Sequence, residues 1–209
     1  MVGISAREFP RISQEERERQ RARLNVNSQD VVLVIVGRLH PFKRTALTFE
    51  AMALLASKYE HLKLWVVGDG PEESNLKRQA ASLGIEDRVR FWGYVPDVVS
   101  ILPLADIQVH SSRVGEGLPL ALLEGMSSGL PVVATAVGSI PDIVITDVTG
   151  ILTEPGAVGQ LVAAIDKLVC DEGLRTRLAL GARRLMEQRF FPDQAAGSLT
   201  AIYKELMRK

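Results

Sequence analysis

Four charged side chains stand beside apolar segments and could act together: Arg38, Lys43, Glu116 and Glu124. Arg38 follows the apolar run VVLVIVG (31–37), and Lys43 comes five residues later, just before an amphipathic segment that opens near Thr45. A guanidinium and an ammonium beside a helix start add charge to its unbonded amides, a combination that suits a diphosphate. The same spacing fits Arg38 paired with a carboxylate and Lys43 in a solvated loop, and spacing alone leaves both readings open. Glu116 and Glu124 flank the start of an apolar helix in EGLPLALLEGMSSGLPVVAT (116–135). An unpaired carboxylate in an apolar setting is costly, so each needs a partner. Pro119 suits the first helical position, which makes Gly117 and Leu118 the cap region and turns the amides of about 118–121, Leu120 among them, toward an anion. Glu124 then lies roughly 8 Å further along the helix axis. An ionised carboxylate only accepts hydrogen bonds and can take two hydroxyl donors. Two carboxylates with an amide-rich helix start between them therefore match a ligand with two polyol ends and a central diphosphate. The competing reading leaves Glu116 exposed and pairs Glu124 with a neighbouring base.

A second glycine-marked turn is less specific. In VGDGPEESN (67–75), Gly68 and Gly70 form only part of a nucleotide fingerprint. Pro71 fits a first helical position, and Glu72 and Glu73 already complement that helix's positive end, so phosphate is not expected there. The glycines either make a tight turn or let backbone approach a base or sugar.

The elements that must position these groups alternate. Strand-length apolar runs occur at 31–37, 62–68, 88–93, 106–112, 130–135 and 149–154, several of them continuously apolar, the pattern of a parallel strand covered on both faces. Helical patterns fall at 45–57, 72–83, near 97–104, and at 119–128; after Glu154 come three more, at 157–170, 173–188 and 193–208. The expected fold is α/β: a single Rossmann-like, doubly wound parallel sheet of about six strands with extra C-terminal helices, whose ligands bind beyond the carboxyl ends of the strands. Residues 1–29 read as a linker and polar helix, with Ser13 and Glu16 as a capping box, and 30–209 as the ligand-binding domain. The helix's charge run reads as a solvated face with i,i+4 pairs.

Composition narrows the function. Lys plus Arg and Asp plus Glu are both 25, so no bulk positive field favours nucleic acid or an anionic membrane. Cys170 is the only cysteine among 209 residues, which provides no disulfide framework. No secretion h-region and no run of about 18 apolar residues is present, and the expectation is a cytoplasmic protein without a membrane span.

GRLxPxK (37–43), VGDGP (67–71), the 116–135 stretch and GxxPDIV (138–144) together resemble the C-terminal, donor-binding half of retaining GT-B glycosyltransferases of family 4, in order and at compatible spacing over about 30–208. Glu116 and Glu124 match that family's E-x7-E motif. The resemblance implies that Arg38 and Lys43, next to Gly37, hold the donor diphosphate. It implies that Glu124 binds the ribose hydroxyls, and that Glu116, with the amides of Gly117, Leu118 and the residues around Pro119 and Leu120, faces the transferred sugar. Gly68, Gly70 and the loop at Val95–Pro96 would frame the base. It implies a UDP- or GDP-sugar as donor, no tightly bound cofactor and no metal. The acceptor site would belong to an N-terminal domain absent from this chain, leaving the isolated domain able to bind donor and to transfer little. The departures are Arg44 after the lysine, Leu118–Pro119 after Glu116–Gly117, and Ser139 after Gly138. A binding module without transfer activity and a nucleotide-sugar epimerase of the same fold remain alternatives. A nicotinamide dehydrogenase fits poorly, because the first strand ends in Gly-Arg-Leu-His-Pro rather than a glycine-rich turn. Peripheral placement at the inner membrane face is an option for the complete protein, and residues 193–208 could expose an apolar strip that supports a dimer.

Overall fold

The computed structural model of the chain describes Phe9, residues 12–113 and 117–190, and Met207. Six strands form one parallel sheet: β1 (Val31–Val36), β2 (Leu62–Val67), β3 (Val89–Gly93), β4 (Ile107–His110), β5 (Val132–Thr135) and β6 (Gly150–Thr153). Their order is β3-β2-β1-β4-β5-β6, so the chain winds outward from β1 in one direction and from β4 in the other. The helices are α1 (Gln14–Arg23), α2 (Thr45–Ala56), α3 (Glu73–Ser82), α4 (Leu120–Ser127), α5 (Val158–Cys170) and α6 (Glu172–Arg189).

The continuously apolar strands are apolar because both faces are covered. In β1, Val32 and Val34 join one core layer with Trp65, Val132, Leu122 and Leu123 of α4 and Met186 of α6. Leu33 and Ile35 point the other way, into a layer with Phe49 and Met52 of α2, Leu76 of α3 and Ile165 of α5. Each such side chain contributes about 1.5–3 kcal/mol on burial. The expected doubly wound α/β sheet is therefore the observed one. Among the described residues no helix is long and apolar enough to cross a membrane.

Four expectations change. The pattern at 97–104 forms two 3-10 turns, Val98–Ser100 and Leu102–Leu104, rather than one helix; Pro103 has no N–H to give an α-helical ladder. Pro119 is the N-cap residue of α4 instead of its first helical residue, and α3 begins two residues after Pro71. The polar first helix, capped by Ser13 as expected, is more than a solvated face. Its outer side carries Gln14–Glu18 and Gln20–Glu16 pairs, while Arg17 and Arg21 reach inward to the two oxygens of Asp106 at 2.7 and 2.9 Å. Asp106 also accepts the amide of Val32 at the start of β1. Arg21, 3% exposed, donates further to the carbonyls of Leu104 and Asp30. Residues 193–206 and Arg208, and with them the expected last helix, lie outside the described residues.

This network closes the amino-terminal ends of β1 and β4. Replacing Asp106 by Ala strands two guanidinium groups and should cost about 3–5 kcal/mol in urea unfolding. A loss below about 1 kcal/mol would reduce the network to an ordinary surface pair.

Candidate functional site

At the opposite end of the sheet β1 and β4 stop side by side, and their continuations diverge. A small cleft opens there, lined by Gly37, Arg38, Lys43, Thr45, His110 and Ser111. Of the residues expected to bind ligand, Gly37, Arg38 and Lys43 are thus brought together at one place.

The backbone makes this possible. Gly37 bonds through its amide to Val67 O, and at φ +144° an added Cβ would lie 3.9 Å from Lys43 Cε. Gly68 and Gly70 have φ +127° and +153°; a Cβ on them would come within 2.1 Å of Gly37 O and 2.3 Å of Leu39 O. The chain's own close approach thus requires both glycines, whether or not a base lies beside them. Leu39 is tied on each side, its amide to Asp69 O and its carbonyl to the amide of Glu72. After buried Leu39 comes a 3-10 turn, Pro41–Lys43, and then Arg44 in the left-handed region at φ 48°, ψ 38°.

That unusual turn is held by the residues leaving β4. The hydroxyl of Ser111 is shared between the carbonyls of Lys43 (3.2 Å) and Arg44 (3.0 Å) and lies 3.3 Å from Thr48 Oγ1. The amide of Arg113 donates to Phe42 O. Three successive carbonyls of the turn are thereby clamped to β4. Buried His110 places Nε2 3.1 Å from Ser112 Oγ, and Thr135 Oγ1 donates to Ser112 O, which continues the brace to β5. Sequence reasoning missed Ser111 and Thr48 because small hydroxyl residues at a strand end and in a helix carry no distinctive signal.

The charged groups differ in their state. Arg38 is exposed and makes no ion pair or hydrogen bond with a described residue, so the carboxylate-paired reading finds no partner there. Lys43 lies over the Phe42 ring, 5.6 Å from its centroid, among its interactions. Glu124 is half-buried one turn into α4 and its carboxylate has no described partner. Burial pushes its pKa up from the ordinary value of 4.5. Glu116 lies outside the described residues. Gly117 is exposed and Leu118 half-buried, and α4 begins after Pro119 with no side chain capping its first turn. The four helices that follow a strand all lack such a cap, yet only α2 and α4 open on the β1–β4 junction, while α3 carries Glu73 in its first turn. Val95 follows β3 and packs half-buried against the core layer of α4.

A groove of about 430 Å³ lies at the other end of the sheet, lined by Arg17, Asp106, Pro131, Arg175 and Arg183 among others. Its size does not make it the better site, because its arginines are engaged internally: Arg17 with Asp106, Arg175 with the carbonyls of Leu168 and Val169, Arg183 with Phe9 O and Glu187. Among the described residues no group of three His, Cys, Asp or Glu is placed to hold a metal ion.

The family model for glycosyl transferases group 1 matches residues 16–185. The chain is 29% identical over 183 residues to N-acetyl-alpha-D-glucosaminyl L-malate synthase of Bacillus anthracis, covering 88% of this chain and 48% of that protein. It is 35% identical over 159 residues to the lipopolysaccharide core biosynthesis glycosyltransferase LpsE of Rhizobium meliloti, covering 76% and 45%. The chain spans about half the length of the curated relatives it matches. Among solved structures, HepE of Anabaena in complex with UDP superposes with a TM-score of 0.85 at 27% identity, over 95% of this chain and 56% of that one. The C-terminal domain of LpcC, a glycosyl transferase group 1 family protein of Francisella tularensis, superposes at 0.81 and 26% identity, over 91% of this chain and all of that domain.

The raised pKa of Glu124 means that the folded chain takes up a proton more readily than the unfolded one, so this residue's ionisation lowers stability as pH rises above 4.5. Glu124→Gln should therefore melt higher than the parent at pH 7, with the advantage shrinking as pH falls toward 4.5; a constant difference across that range would contradict the burial assignment.

Proposed function

Because the chain belongs to the glycosyl transferases group 1 family, we propose that it is the donor-binding half of a retaining glycosyltransferase and that a nucleoside diphosphate sugar occupies the β1–β4 junction. One observation carries the reading: among the described residues neither the Arg38 guanidinium, which follows β1, nor the half-buried Glu124 carboxylate, on the helix that follows β4, has a partner, and the helices after both strands start without side-chain caps. A fold alone would not specify function, whereas unsatisfied groups of both signs at a switch point are what a diphosphate with polyol ends would satisfy.

In this reading Arg38 and Lys43 hold the diphosphate, with the Ser111 clamp fixing the height of Lys43. The Leu118 amide ahead of α4 and the first-turn amides of Leu120 and Ala121 add dipole to the same anion. Glu124 accepts the ribose hydroxyls. Glu116, Gly117 and Leu118 face the transferred sugar, and Gly68, Gly70 and Val95 border the base. As the glycosidic bond breaks, charge grows on the departing diphosphate, and two cations with a helix start stabilise it without a metal. The anomeric carbon passes through an oxocarbenium-like state and keeps its configuration, with Glu116 binding rather than attacking. UDP bound to the Anabaena relative makes a UDP-sugar the first donor to try. Acceptor recognition belongs to a further domain, and positioning both reactants needs that domain, so this chain alone should bind donor and transfer little.

Calorimetric titration of UDP, GDP and ADP, with and without EDTA, tests the reading. One nucleotide should bind in the micromolar to millimolar range irrespective of EDTA, and Arg38→Ala and Glu124→Ala should each weaken it by about tenfold or more. Binding that is abolished by EDTA, or unchanged in both variants, would overturn it.

A further inference from the structure

Gln108 occupies the middle of β4, paired to β1 and β5, and is 1% exposed, a place where an aliphatic side chain would be expected. Its amide nitrogen donates to Ala121 O in the first turn of α4 at 2.7 Å. Its oxygen is buried with no partner among the described residues. That oxygen fills the space over Gly125, where an added Cβ would lie 2.0 Å from Gln108 Oε1 and 2.6 Å from its carbonyl carbon. A half-satisfied buried amide and a glycine inside a helix are both unfavourable, and here they meet at one contact.

The contact has a definite geometric effect. Ala121 and Gly125 are one helical turn apart on the same face, so the amide grips α4 at two successive turns, by a hydrogen bond at one and by close backbone approach at the other. Glu124 lies between them in sequence. Leu122, Leu123 and Met126 pack apolar surface against the sheet but give no directional restraint, and Arg183 bonds the far end of the helix at Ser127 O. Gln108 alone among these restrains both the rotation and the slide of α4 beside the carboxylate. We propose that Gln108 is a positioning residue that aims Glu124 at the ribose hydroxyls of the nucleotide, with Gly125 as the residue that lets it do so. This rests on the donor-site reading above.

The test compares binding of UDP and 2′,3′-dideoxy-UDP by calorimetry, with melting temperature as a control. The parent chain should bind UDP about tenfold more tightly than the dideoxy analogue. Gln108→Leu, which keeps volume and removes the amide, should melt no lower than the parent and bind both nucleotides within about twofold, with the dideoxy affinity unchanged because the diphosphate contacts survive. Gly125→Ala should also lose the preference by driving a methyl into the amide. A stable Gln108→Leu or Gly125→Ala chain that keeps the tenfold preference would overturn the proposal and leave the donor site standing. A parent chain that binds neither nucleotide would refute the donor site, and the positioning role with it.

Discussion

Everything at the ligand-facing edge depends on how closely two stretches of backbone approach one another after β1 and β2. Gly68 lies against Gly37 O and Gly70 against Leu39 O, at distances that leave no room for a Cβ. This contact forces the segment after β1 to fold back over the sheet edge rather than run straight into α2. The fold-back places Arg38 and Lys43 in the cleft, requires the left-handed residue at Arg44, and brings the turn within reach of Ser111. A side chain at either glycine would push the cationic turn off the sheet and undo the rest.

The two ends of the sheet treat charge in opposite ways. At the amino-terminal end Arg17, Arg21, Asp106 and Asp30 are matched to one another, to backbone groups or to Lys63, and the network ties α1 to β1 and β4. At the carboxyl end Arg38 and Glu124 have no described partner, and the helices facing the junction begin uncapped. A rigid, internally satisfied base under an unsatisfied edge is the arrangement expected where folding stability has been given up for binding. The carboxylate's raised pKa is the local sign of that cost.

Much of the architecture was legible because its causes are local. Continuous apolar runs such as VVLVIV mark strands covered on both faces, and Ser13 marks a helix start that the structure caps through it. The charged residues of the candidate site could also be read, since carboxylates and cations beside apolar segments demand partners. What could not be read depends on distant neighbours. Arg17 and Arg21 look like any others in a charged run until Asp106, some 85 residues away, lies beneath them. Gly68 and Gly70 show only a turn until Gly37 and Leu39 arrive. Gln108 reads as an interruption of an apolar strand, and Gly125 as a weak helix residue, until each is seen to account for the other.

The most direct test of the account is a crystal structure of this chain soaked with UDP. The diphosphate should lie between the Arg38–Lys43 turn and the first-turn amides of α4, with the ribose hydroxyls on the Glu124 carboxylate. UDP bound instead in the arginine-lined groove at the far end of the sheet, or at the junction with its ribose turned away from Glu124, would contradict it.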